Sequence, residues 1–248
     1  MKKKLFLPLF IAIFFYQCQK DSLSISKGPT TGQGGSLARF AITGNYLYTV
    51  DDQKIKVYDI SDAANPVAGK VIDAGFGIET IYPFGDKLFI GSTSQVYIFS
   101  ITDPSDPKKL STAISPQVIR RCDPVVAKDS VAFATLRTNG QCGGIQSILA
   151  VFDIKDIINP VQKATYPIAE PYGLGYSGNV LYVCDRQQGL VVLDISKPYD
   201  PVFIKAINDG VYTDVIPYQN TLICWVSNGI ILYDISNNRN PALIAEIN

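Results

Sequence analysis

The sequence contains no histidine. That absence removes Ser-His-Asp triads, histidine-bearing zinc sites and H-E-x-x-H hydrolases together, because each needs an imidazole as base or ligand. Formal net charge is zero, and positive charge gathers only at Lys2-Lys3-Lys4, Lys108-Lys109 and Arg120-Arg121. Binding to nucleic acid without sequence preference needs a denser basic face than this. No two cysteines stand at C-x-x-C spacing, which excludes the redox and zinc motifs built on it. The apolar run Leu5 to Tyr16 falls short of the roughly 20 residues that a spanning helix needs. Chemistry by paired carboxylates and binding of a hard cation through oxygens stay open.

Apolar residues make up 47% of the 248, enough for a sizeable core. The chain is organised by one short phrase said five times. Asp59-Ile60-Ser61 is followed by Pro66, and Ser100-Ile101-Thr102 by Pro107. The phrase returns at Asp153-Ile154-Lys155 with Pro160, Asp194-Ile195-Ser196 with Pro201, and Asp234-Ile235-Ser236 with Pro241. The copies recur at intervals of roughly forty residues, the period of propeller blades, with one longer interval between the second and third. Each unit needs its neighbours to cover its faces, so the repeats form one domain.

The first unit shows how a blade is written. Ser36 to Ile42 is a strand, Gly44-Asn45 a tight turn, and Tyr46 to Val50 a second strand. Lys54 to Ile60 is a third, after which Asp59 and Ser61 can bond the backbone of the following turn. Pro66 opens a fourth strand, Val67 to Ile72; proline lacks a donor and is tolerated best at the start of an edge strand. Third strands such as Leu190 to Leu193 are apolar without alternation, as expected of strands buried on both faces between stacked blades. The expected fold is all-β: a five-bladed β-propeller of four-stranded antiparallel blades over residues 36–248. Blade one is expected to pack on blade five through side chains alone.

The N-terminus reads as an address. A basic start and the apolar run read as a cleaved export signal over residues 1–17. The cysteine directly after it resembles a bacterial lipoprotein signal, with Cys18 the lipidated first residue of the mature chain; the alternatives are a plain signal peptide cut nearby or a short uncleaved anchor. Residues 18–35, rich in Ser, Gly, Thr and Lys, form a tether. The expected location is the bacterial cell envelope, anchored by lipid at the outer membrane, where disulfides persist.

The repeats, with Leu190-Val191-Val192-Leu193-Asp194-Ile195-Ser196 as the clearest copy, resemble the LVIVD-repeat family of bacterial β-propellers. The stretches Gly35 to Phe40, Gly77 to Thr80, Arg121 to Ala127 and Gly173 to Gly175 are similar to those of lipid-anchored members in Bacteroidota. The resemblance covers roughly residues 34 to 248. It implies the fold and supplies no catalytic residues.

Position does more than motif in placing a site. Aligned on their second strands, the repeats match Arg39 with Thr80, Asp123, Gly173 and Asp214; the preceding positions hold Ala38, Glu79, Cys122, Tyr172 and Thr213. All lie where the chain enters an innermost strand, at one mouth of the central channel. The links from second to third strands share that face, including the long one of blade three, Arg137 to Gln146, and those near Asp185-Arg186 and Trp225. The ligand candidates are therefore Arg39, Glu79, Asp123, Tyr172 and Asp214. Arg39 could bind a carboxylate, or Glu79, Asp123 and Asp214 could hold a hard cation such as calcium. Alternatively, Arg39 lies between Asp123 and Asp214 as a structural ion pair. Cys122 and Cys142 fall on the same face, the second in a Gly-rich loop, and a disulfide between them is expected. Cys184 and Cys224, one register apart on adjacent second strands, read as small core hydrophobes facing opposite sides of their blades.

These features point first to a non-enzymatic binding or scaffold module. Its partners would be an envelope protein, a glycan or a small acidic ligand, with the membrane reached only through the lipid. The second reading is an enzyme acting on surface glycans through paired carboxylates at the mouth. The third is a purely structural part of an envelope complex.

Overall fold

The computed structural model describes residues 34–116, 124–138 and 147–247. They form twenty strands in five four-stranded antiparallel sheets, each a simple meander from inner to outer edge. The blades are β1 to β4 (Phe40–Thr43, Tyr46–Val50, Lys54–Asp59, Val67–Asp73), β5 to β8 (Ile78–Phe84, Lys87–Ser92, Val96–Ser100, Lys108–Ala113) and β9 to β12 (Val125–Lys128, Val131–Leu136, Ile148–Asp153, Val161–Pro167). Blades four and five are β13 to β16 (Pro171–Ser177, Val180–Asp185, Gly189–Asp194, Val202–Ile207) and β17 to β20 (Tyr212–Tyr218, Thr221–Val226, Gly229–Asp234, Ala242–Ile247). The fold is a five-bladed β-propeller.

The repeated phrase works as its chemistry requires. Asp59 Oδ1 accepts from the Ser61 nitrogen at 2.8 Å, and Asp153, Asp194 and Asp234 make the same bond two residues on. Each such turn is followed by the proline, and every outer strand begins at the residue after it. Between first and second strands the chain must take a left-handed residue, with φ near 57° at Gly44, 58° at Gly85 and 56° at Gly178. Asp129 and Gln219 hold the same position in blades three and five without the freedom of glycine, at φ 53° and 54°. The middle strands of blades two to four are buried on both faces, β10 and β14 along their whole length, whereas β4 and β20 lie largely in solvent.

The blades are glued by four apolar cores, one at each of the joints one-two, two-three, three-four and four-five. Among the described residues no such core fills the joint between blades five and one. The repeat makes the difference plain. The strand registers equate Phe40 with Ile81, Val125, Leu174 and Val215, each facing the preceding blade. Those four are all but fully buried, and Phe40 is 57% exposed. Trp225 stands where Val50, Gly91, Thr135 and Cys184 are buried, and is 58% exposed. Among the described residues an open wedge thus stands where a side-chain seal between blades one and five was expected.

The reason lies at the start of blade one. Its inner strand begins at Phe40, not Ser36, because Gly35 to Ala38 turn inward, with the Ala38 nitrogen bonded to the Gly35 carbonyl at 3.1 Å. Gly34 and Ser36 enter the central channel beside Tyr82, Val126, Leu174 and Ile216, leaving a cavity of only about 90 Å³ there.

Candidate functional site

Asp214, near the start of β17, is the buried member of the expected ring. Its Oδ1 accepts from Ser36 Oγ at 3.3 Å and from the Val215 nitrogen at 2.9 Å; its Oδ2 accepts from the Leu37 nitrogen at 3.3 Å. Ser36 Oγ in turn accepts from the Leu174 nitrogen at 2.7 Å. One hydroxyl therefore ties the entrance of blade one to the inner strands of blades four and five. The carboxylate is packed so closely that a Cβ on Gly35 would lie 2.0 Å from Oδ2, and one on Gly173 2.0 Å from Oδ1. Burial pushes the Asp214 carboxyl up to about 6, only partly offset by the bonds from Val215, Leu37 and Ser36.

Arg39 does not pair with it. Arg39 is exposed and donates from Nη2 to the Ile78 carbonyl at 3.3 Å, while Asp214 faces the open joint. The structural ion pair expected from the alignment does not form between these two, because the inward turn of Gly35 to Ala38 supplies neutral donors in its place. The alignment itself shifts in blade three. Lys128 pairs with Val131 as Thr43 pairs with Tyr46, so Pro124 rather than Asp123 holds the Arg39 position. Asp123, Cys122 and Cys142 lie outside the described residues, as does Cys18; the disulfide and the lipid site are therefore not seen. Glu79 is half-buried at the entrance to β5 and has a partner of its own. Among the described residues no three acidic or cysteine side chains gather as a metal site.

Tyr172, at the start of β13, is where the mouth is most developed. The Arg137 guanidinium carbon lies 3.8 Å from the centre of its ring and that of Arg186 3.9 Å. Two groups cannot share one perpendicular, so the arginines cover opposite faces of the ring. Both come from second-to-third-strand links, of blades three and four. Neither forms an ion pair with a described residue, and Arg137 Nε is buried without a hydrogen-bond partner. Cation–π contact stabilises such a stack by about 0.5–1 kcal/mol per pair at exposed sites, and like charges on both faces oppose it. Sequence reasoning placed both arginines on this face but not on one ring; their order in the links carries no sign of that convergence.

Asp185 proves to be a staple. It is fully buried, and its oxygens accept from the backbone nitrogens of Ala169, Glu170, Gln187 and Gln188. Cys184 and Cys224 are free thiols buried in the core between blades four and five, each reaching it from its own blade.

Residues 34–71 and 174–209 match the LVIVD repeat. The chain carries LVIVD repeats. The two matched segments fall on blade one and on blade four, and the other three blades share their strand plan. Among solved structures, the LVIVD propeller is similar to a functionally unknown protein from Desulfotomaculum acetoxidans at 10% identity, covering 86% of this chain and 70% of that one, with a TM-score of 0.69. It is also similar to a protein from Lactobacillus plantarum (15% identity, 81% and 67% covered, TM-score 0.66). A third is the periplasmic gluconolactonase of Pseudomonas aeruginosa (14% identity, 82% and 67% covered, TM-score 0.61). At these identities the likeness is one of fold. No functionally curated protein matches the sequence.

Proposed function

We propose that the protein is a lipid-anchored, non-enzymatic binding module of the bacterial cell envelope, held at the outer membrane through Cys18, which takes an acidic ligand at the mouth of its propeller. One observation carries the reading: Arg137 and Arg186 flank Tyr172 with no carboxylate of the described residues to neutralise them. Guanidinium groups stay charged at every physiological pH and match carboxylate and phosphate oxygens in pairs. Exposed Arg39 adds a third cation on the same face. The acids that would serve an enzyme are otherwise engaged: Asp214 faces the blade joint and Asp185 is taken up by backbone nitrogens. An acidic glycan or the acidic surface of an envelope protein fits three cations displayed on a rigid rim.

The test is a thermal-shift comparison of oligogalacturonate with the neutral oligosaccharide of equal length. At 100 times its dissociation constant a ligand stabilises by about 2.7 kcal/mol. The acidic sugar is expected to raise the melting temperature, and Arg137→Ala with Arg186→Ala to abolish that rise while the unliganded protein keeps its own. Equal shifts with both sugars, or an unchanged shift in the double variant, would remove the mouth from consideration. The anchor is checked separately: Cys18→Ser is expected to move the protein from the membrane fraction to the soluble one.

A further inference from the structure

The open joint between blades five and one holds two adjoining cavities of about 370 and 320 Å³. Asp214, Ile216 and Trp225 line both; Phe40 and Ile42 form the far wall of the first, and Ile223 and Ile230 extend the second. This is the size and character of a small-molecule site, mostly apolar with one fixed polar group. The polar group is a carboxylate at 8% exposure with no cation within ion-pair distance among the described residues.

We propose that this joint binds a small hydrophobic ammonium cation, with Asp214 as its counter-charge and the rings of Trp225 and Phe40 as its walls. A buried charge is costly unless it is paired. Asp214 accepts from neutral donors only, two of them at 3.3 Å, and these offset only part of the burial that holds its carboxyl up to about 6. A cation on its open side supplies what those donors do not. An alkylated ammonium is weakly hydrated, so it enters an apolar cavity at low cost, and aromatic faces attract it further. Other occupants fit worse. A hard metal ion wants six or more oxygens, and this cavity offers one carboxylate. A neutral apolar ligand would dry the carboxylate without compensating it, and an anion would repel it. Neither Arg137 nor Arg186 lines either cavity, so the proposal does not depend on the acidic-ligand reading.

Trp225 is the only tryptophan of the chain, which makes its fluorescence a local reporter. The purified protein is titrated with benzyltrimethylammonium, with benzyl alcohol as the neutral and benzoate as the anionic control. The expected result is a saturable change in Trp225 emission with the cation, and at least about tenfold weaker responses with the controls. Asp214→Asn is expected to weaken the cation at least about tenfold while keeping the native circular dichroism. Phe40→Ala, at an exposed position, is expected to weaken it without touching the charge. Lowering the pH through about 6 is expected to release the cation. Of the other groups around Asp214, Arg39 is turned to Ile78, Asp185 is held by backbone nitrogens, and the Cys184 and Cys224 thiols are kept neutral by burial. Equal binding of all three probes, unchanged binding in Asp214→Asn, or no saturable change would overturn the proposal. So would a ligand-free emission shift that grows with protein concentration, because a second copy would then fill the joint.

Discussion

The carboxylate of Asp214, in the innermost strand of the last blade, accepts a hydrogen bond from the backbone nitrogen of Leu37, at the entrance to the first. With the bond from Ser36, this is how the described ends of the repeat array meet. The other four joints are closed by apolar burial, and this one by a polar clasp over a buried acid.

Asp214→Asn is expected to stabilise the protein at neutral pH. The carboxyl sits near 6 in the folded state against an ordinary value of 3.8. Its favourable contribution is therefore present in full below about pH 4 and is lost as pH rises through about 6. The loss is on the order of 3 kcal/mol for a shift of this size. Asparagine removes the charge and keeps the oxygen that accepts from Val215 and Ser36, giving up only the 3.3 Å bond from Leu37. Urea unfolding from pH 4 to pH 7 should show the wild type losing stability relative to the variant, the gap levelling off above the titration. A constant gap would mean that the acid is solvated.

Gly35→Ala and Gly173→Ala are both expected to destabilise by about 1–3 kcal/mol through overpacking, but only the first should be rescued. The three atoms nearest the new methyl of Gly35→Ala all belong to the Asp214 side chain, whereas that of Gly173→Ala also lies 2.8 Å from the Asp214 Cα. Adding Asp214→Ala should therefore relieve the Gly35 variant and leave most of the cost in the Gly173 variant. Melting temperatures of the two doubles decide it.

Gln219→Gly is expected to stabilise by up to about 1 kcal/mol. The left-handed conformation costs an ordinary residue roughly 1–2 kcal/mol, and the greater entropy of an unfolded glycine returns part of the gain. Gln219 is exposed, so little packing is lost. Chemical denaturation would show a higher midpoint with an unchanged slope.

Cys184 and Cys224 are expected to resist thiol reagents in the native state. Burial pushes both thiols up, which removes the reactive thiolate as well as access to it. Peptide mapping after timed labelling should find them modified only at the rate at which the core between blades four and five opens.

The blade plan was legible because its signals are local. Asp59 bonds a nitrogen two residues away and Pro66 fixes the strand that follows it, so one copy of the phrase carries the whole instruction. The site was legible in part. Repeat alignment assigns Arg39, Glu79, Asp123, Tyr172 and Asp214 to one mouth, but it carries no information on where the chain departs from the repeat. Ser36 reaches Leu174 across 138 positions, and nothing near it in sequence marks that contact. Pro124 holds the position expected for Asp123 because Asp129, not Lys128, takes the left-handed turn position that glycine fills in blades one, two and four. The sequence places Trp225 near a second-to-third-strand link at the mouth, but its exposure toward the joint depends on what packs beyond it.

The joint that the described residues leave without an apolar core also sets how the molecule yields. A closed ring resists spreading equally at every blade, but a ring with one unglued seam is a split washer. Widening it strains a few hydrogen bonds at Asp214 and leaves the four apolar cores intact. Mechanical load or thermal fluctuation therefore concentrates at one place, and the diameter of the central channel can change without any blade coming apart.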